Sequence, residues 1–285
     1  MPDLVRLAPA LTVAVLAAPV AAGVAGMLGP AFGRLPALGL AGPSLDPWRA
    51  LLAEPGLARS AALSLWTGLA ATAISLALTV AIAAALHGTA AFRAFRRLLS
   101  PLLAVPHAAA AFGLAFLIAP SGWIARALSP WATGWERPPD LLIVGDPFGL
   151  ALIAGLVAKE TPFLFLMLLA ALPQADADRS RTVALSLGYG PVGAWTKAVL
   201  PRVYPQLRLP VYAVLAYSIS VVDVAMILGP TAPAPLAPRL LVWMRSPDLA
   251  LWPMAAAGAM LLAALTAAAI AAWRGAEIAA ARLGR

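Results

Sequence analysis

The chain has 285 residues, of which 62% are hydrophobic and only 11% charged, with a net charge of +8. An average soluble domain carries about 25% charged residues, so this chain has too few charges to cover a soluble core of its size. It has no cysteine, which excludes disulfides and thiolate metal sites. Its only histidines, His87 and His107, lie far apart with no acid partner visible in the sequence, so neither a metal site nor a catalytic set is expected.

Charge-free stretches of 27, 28 and 25 residues run over 60–86, 98–125 and 249–273. A membrane-spanning helix needs about 20 apolar residues, so the expected fold is all-α and polytopic. Six spans are expected in chain order: about 7–29, 60–86, 99–119, 147–172, 209–230 and 249–273. The first apolar run is 23 residues long, beyond the 7–15 of a signal-peptide core, and reads as a membrane anchor. The domains implied are a first membrane helix over 1–30, an outer loop over 31–59, and a core of five spans over 60–285.

Lys and Arg in the loops set the orientation. With the N-terminus inside, the inner segments hold Arg6; Arg93, Arg96 and Arg97; Arg179, Arg181, Lys197, Arg202 and Arg208; and Arg274, Arg282 and Arg285. Those 12 basic residues face four acids, Asp3, Asp176, Asp178 and Glu277, whereas the outer segments net only +1. Both termini are therefore expected in the cytoplasm. The basic surplus needs no nucleic-acid partner, because the membrane accounts for it. The outer stretch 121–146 carries Trp123, Trp131 and Trp135, which read as an aromatic belt at the lipid headgroups or as a docking surface for an external partner.

The longest inner loop, 173–208, is also the most polar stretch. Asp176 and Asp178 precede a helix-compatible run from Arg179 to Leu187, where acids suit the positive end of the helix dipole. Gly188 stands where a C-capping glycine takes positive φ. Pro191 suits the first position of a second helix, expected to stop at Pro201. The letters GYGPVG over 188–193 match a dinucleotide fingerprint, but the context does not. No strand precedes Gly188, Pro191 fills an internal place, and Arg208 stands where a ribose-binding acid belongs. The chain also has no P-loop motif, so it is not expected to be an ATPase.

On these residues the loop resembles the EAA loop of permease subunits of binding-protein-dependent ABC importers. Counting from Gly188, the E-A-A places hold Thr182, Val183 and Ala184; Trp195 stands at the common aromatic place; Leu200 and Pro201 form the Leu-Pro; and Pro205 is the second proline. Thr182 in place of glutamate and Val183 in place of alanine depart from the pattern. The stretches KETPFLFLMLLAALP (159–173) and SISVVDVAMILGP (218–230) resemble most the thiamine, ferric-iron and sulfate branch. The resemblance implies a multi-pass permease of a bacterial inner membrane that binds no cofactor itself. ATP and Mg would sit in a cytoplasmic ATPase dimer, a second permease subunit would pack alongside, and a periplasmic solute-binding protein would deliver a small solute. It also implies that Thr182, Ala184, Gly188, Tyr189, Gly190, Trp195, Leu200 and Pro201 form the ATPase-coupling element between spans four and five. Tyr189, Trp195 and Val199 would offer its apolar knob.

Lys159 and Glu160 fall inside the fourth span and Asp223 inside the fifth. Charges at membrane depth are costly and usually face a bundle interior or cavity. Neighbours on a helix point in different directions, so one reading pairs Lys159 with Asp223 while Glu160 faces the pathway or a second subunit. The other is a purely structural network near Pro162, where a kink frees backbone groups. A rival function, an ion-coupled secondary transporter, would use these three residues as its relay. Such transporters often carry inverted repeats, and no internal repeat is visible here.

Overall fold

The computed structural model describes residues 2–283; Arg285, counted among the inner basic residues, lies outside them. Among the described residues the chain is helical, with one isolated bridge between Leu35 and Leu40. In order the helices are α1 (Pro2–Ala31), a 3-10 turn (Pro36–Leu38), α2 (Asp46–Ala53), α3 (Leu57–Leu86), α4 (Ala90–Ala104), α5 (His107–Ile118), α6 (Trp123–Leu128) and α7 (Leu150–Gln174). They continue as α8 (Ala177–Ser186), α9 (Pro191–Ala194), a π-helical turn (Trp195–Val199), α10 (Leu200–Ser220), α11 (Asp223–Leu228), α12 (Leu236–Met244) and α13 (Leu251–Leu283).

Five segments are long and apolar enough to cross a membrane: Leu7–Ala31, Leu57–Leu86, His107–Leu128, Leu150–Gln174 and Leu251–Arg282. The first, second, fourth and sixth expected spans fall within or on four of these. The third expected span, 99–119, is broken. Pro106 lacks an N–H and pushes Val105 out of helical geometry, and Val105 is extended at ψ 125°. The apolar segment therefore starts at His107 and runs on through α6. The fifth expected span, 209–230, is not among the five. Its helix starts earlier, at Leu200, carries Arg202 and Arg208, and stops at Ser220. There the Ser220 hydroxyl donates to the Ala216 carbonyl at 2.7 Å, and two β-branched valines follow. Val221 is extended, and α11 begins at Asp223.

The chain divides into two compact units, one holding the chain up to Leu57 with Arg239–Ala264, the other Ala58–Pro238 with the chain from Leu265 on. In the first, Leu51 is fully buried, and Gly258 lets the backbone of α13 approach Leu51 and Leu240. Arg239 pairs with Glu54 at 2.6 Å and covers the Trp243 ring.

In the second unit, α3 turns one hydroxyl-bearing face inward. Ser60, Ser64, Thr67, Thr72, Ser75 and Thr79 are all at most 1% exposed. Small side chains of this kind let helices come close, and at Gly68 a methyl group would strike Ile219 of α10. Asp146 starts α7: its carboxylate accepts from the N–H groups of Phe148, Leu150 and Ala151 at 2.9–3.1 Å, which satisfies donors the first helical turn leaves free. Below this, one core joins Ala83 and Ala84 of α3, Phe92 and Leu99 of α4, Phe165 and Leu168 of α7, Trp195 and Val199 of the π-turn, and Val203 of α10.

Candidate functional site

The loop 173–208 forms two helical arms around a tight turn. Asp176 takes a left-handed conformation (φ 50°), which an aspartate tolerates, and α8 follows. At its end Gly188 has φ +87°. The Gly188 N–H donates to the Leu185 carbonyl and the Tyr189 N–H to the Ala184 carbonyl. This is the Schellman pairing, in which a glycine at positive φ closes the helix end. No atom lies within 4 Å of where a side chain would begin on Gly188, so its requirement is conformational. Gly190 has an ordinary φ of −65° and precedes Pro191, the first residue of α9.

The second arm does not stop at Pro201. The backbone runs from Pro191 through the π-turn into α10, so one arm of the loop is continuous with a long helix. In an α-helix a proline ring strikes the carbonyl four residues back. Here the wider π-turn, in which the Leu200 N–H reaches the Trp195 carbonyl, relaxes the backbone just ahead of Pro201.

The expected apolar knob also changes. Trp195 and Val199 are fully buried in the core, so they anchor the loop and do not project from it. The outward apolar residues are Val183, Leu187, Tyr189 and Val192, exposed by 44–72%. Thr182 is exposed too, and its hydroxyl donates to the Asp178 carbonyl. Ala184 is buried, Leu200 is half-buried and Pro201 is exposed. Lys197 lies 5.3 Å from the Tyr189 ring centre.

Both histidines have acid partners, contrary to the sequence reading. His87 follows α3 directly. Its Nδ1 accepts from the Trp195 indole N–H at 3.2 Å, and its Nε2 faces the Asp178 carboxylate at 3.3 Å. An indole only donates, so the imidazole proton sits on Nε2. Burial holds His87 below its ordinary pKa; Asp178 pulls it up and Arg181 pushes it down.

The charges at membrane depth are arranged differently from the expected Lys159–Asp223 pair. Lys159 Nζ donates to the carbonyls of Leu102 (2.9 Å) and Val105 (2.6 Å). These are carbonyls that the end of α4 leaves free when Pro106 breaks the helix. The next residue, Glu160, meets Nε2 of His107, the first residue of α5, at 3.3 Å. Adjacent side chains of α7 thus hold the two sides of the break. Among the described residues no ion pair joins Lys159 to Asp223, which is exposed and opens α11. His107, Lys159, Glu160 and Tyr217 line a cavity of about 240 Å³.

A further cluster ties α10 to α13. Glu277 accepts from Tyr204 (2.6 Å), Tyr212 (2.9 Å) and Arg274 (2.9 Å), and Arg208 lies 3.1 Å away. Nothing in the spacing of these residues marks them as partners; only folding brings positions 65–73 apart into contact.

Over 225 residues, 79% of this chain, the sequence is 33% identical to the inner membrane ABC transporter permease protein YnjC of Escherichia coli (strain K12). The match covers 42% of that protein, so the chain spans about half the length of the relative it matches. No protein-family model matches the chain. This similarity and the membrane-length helices make the chain a multi-pass protein of the inner membrane.

Proposed function

We propose that this chain is the transmembrane permease subunit of an ATP-driven importer that moves a small solute across the inner membrane. The observation that carries this reading is the loop 173–208. It exposes Val183, Leu187, Tyr189 and Val192 while Trp195 fixes it in the core shared by α3, α4, α7 and α10. A lever needs an outward contact surface and a stiff root, and this loop has both. Similarity to an ABC transporter permease supports the same reading.

In this account the loop faces the cytoplasm and rests on an ATPase dimer, which holds the ATP and Mg. Closure of that dimer pushes the loop, and its second arm delivers the push directly into α10. A second permease subunit, identical or homologous, completes the pathway, and a periplasmic binding protein supplies the solute. The membrane is crossed six times, with the α10–α11 stretch as fifth crossing and both termini inside. On this reading the chain comprises a first span (1–30), an outer loop (31–59) and a permease core (60–285). Within the family we place the chain with the thiamine, ferric-iron and sulfate branch, on residues 159–173 and 218–230.

The rival ion-coupled transporter needs Lys159, Glu160 and Asp223 as a relay. Lys159 is held by two backbone carbonyls, which favours a structural task for it. The deciding experiment is co-purification with a cytoplasmic ATPase. Leu187→Glu with Val192→Glu, both on the exposed face, is expected to abolish it without unfolding the chain; uptake undiminished in membranes lacking any such ATPase would overturn the reading.

A further inference from the structure

We infer that His87 is the joint through which loop 173–208 moves the corner between α3 and α4. The inference rests on the permease reading above and adds a positioning residue to it.

Three features converge on this side chain. First, His87 stands at the end of α3, followed by Gly88 at φ +85° and by Thr89, which caps α4 by accepting from the Phe92 N–H. A displacement at His87 therefore acts on two helices at once. Second, its two ring nitrogens address the two arms of the loop separately. Nδ1 takes the Trp195 N–H from the second arm, and Nε2 faces Asp178 on the first. Third, the side chain is only 10% exposed and packs on Phe92 at 5.2 Å and edge-on to Trp195 at 6.4 Å. On that packed side it cannot shift without moving Phe92 and Trp195, because packed interiors transmit displacement.

The chemistry makes the joint selective. The neutral imidazole presents an acceptor, Nδ1, to the Trp195 N–H and turns its Nε2 proton toward the Asp178 carboxylate, 3.3 Å away. An apolar side chain of similar size fills the space but holds neither arm and leaves the buried indole N–H unpaired. A glutamine amide offers one acceptor and one donor and meets both demands without titrating.

The test reconstitutes the full chain in proteoliposomes with the ATPase that co-purifies with it and measures uptake per ATP hydrolysed. His87→Phe and Asp178→Ala are expected to leave the ATPase bound but to lower uptake per ATP, by about tenfold for His87→Phe, the scale of a site-to-site coupling. His87→Gln is expected to restore it. The double variant His87→Phe, Asp178→Ala is expected to be no worse than His87→Phe. If His87→Phe does not fold, Asp178→Ala carries the test, since that carboxylate is 93% exposed. Uptake per ATP equal to wild type in folded His87→Phe or in Asp178→Ala would overturn the joint while leaving the permease reading intact. No ATPase bound to the wild-type chain would overturn that reading and the joint with it. Nitrogen chemical shifts of His87 in the full-length chain give an independent readout, and a proton on Nδ1 at neutral pH would contradict the arrangement.

Discussion

Lys159 Nζ donates to the carbonyl of Val105 at 2.6 Å, at the point where Pro106 ends α4 inside the apolar part of the chain. A proline break leaves carbonyls without partners, and in an apolar setting each carries a real cost. The ammonium supplies the missing donor, and Glu160 beside it takes His107 on the far side of the break. The dipeptide is a clamp on a broken helix.

Removing the clamp should therefore destabilise the chain. Lys159→Met takes the donor away from the two carbonyls at the break, at a cost of about 2–4 kcal/mol from lost charge-assisted hydrogen bonds and stranded acceptors. Asp223→Asn, at an exposed position, should change stability by less than about 0.5 kcal/mol. The double variant should equal the sum of the two within about 0.5 kcal/mol. Thermal unfolding in detergent measures all three. A coupling energy of about 1 kcal/mol or more between them would restore the Lys159–Asp223 pair.

The glycines of GYGPVG should separate cleanly. Only Gly188 has positive φ. Gly188→Ala should cost about 1 kcal/mol, the steric penalty of a left-handed conformation. Gly190→Ala, at φ −65° with open space around it, should be neutral or slightly stabilising. Equal losses at both positions would contradict the Schellman turn.

His87 gives a pH signature. Its pKa is held below the ordinary 6.5 by burial, so the unfolded chain takes up its proton first as pH falls. The sign follows: its contribution to stability is complete above the unfolded value and is lost as pH drops through the lower folded value. The charges near it are Asp178 and Arg181 of α8, with Arg96 of α4 lining the same cavity. Unfolding midpoints measured from pH 7.5 down to about 5 should fall more steeply for wild type than for His87→Gln. Identical slopes would mean that the imidazole is not buried neutral.

Sequence periodicity and charge spacing carried much of the architecture. The apolar runs of α1, α3, α7 and α13 are long enough to be read through the prolines inside α1 and α7 and through the Lys159–Glu160 pair. Gly188 and Pro191 were legible because a C-cap and a helix start demand particular backbone angles. The third span misread because charge spacing ignores a single proline, and Pro106 sits within a 28-residue uncharged run. Pro201 misled in the opposite sense, since a π-turn can carry a proline that an α-turn would not. The task of Trp195 was invisible because an aromatic in a polar loop reads equally as a knob or as an anchor, and only its burial in the core that holds Phe92 and Phe165 decides it. Contacts between distant side chains, such as His87 with Asp178 or Glu277 with Tyr204, leave no mark in local spacing.

Trp195 and Leu187 should respond oppositely to a charge. Trp195 is fully buried, so Trp195→Glu puts a carboxylate in the core and should unfold the chain or cost more than about 4 kcal/mol. Leu187 is 72% exposed, so Leu187→Glu should leave stability within about 0.5 kcal/mol of wild type. Any loss of partner binding in Leu187→Glu is then a loss of contact surface.

The central claim is tested most directly by purifying the chain from its native membrane and asking whether a cytoplasmic ATPase comes with it. The account predicts that one does, and that Leu187→Glu with Val192→Glu releases it from a chain that is still folded. Full solute uptake by membranes that contain this chain and no such ATPase would contradict it.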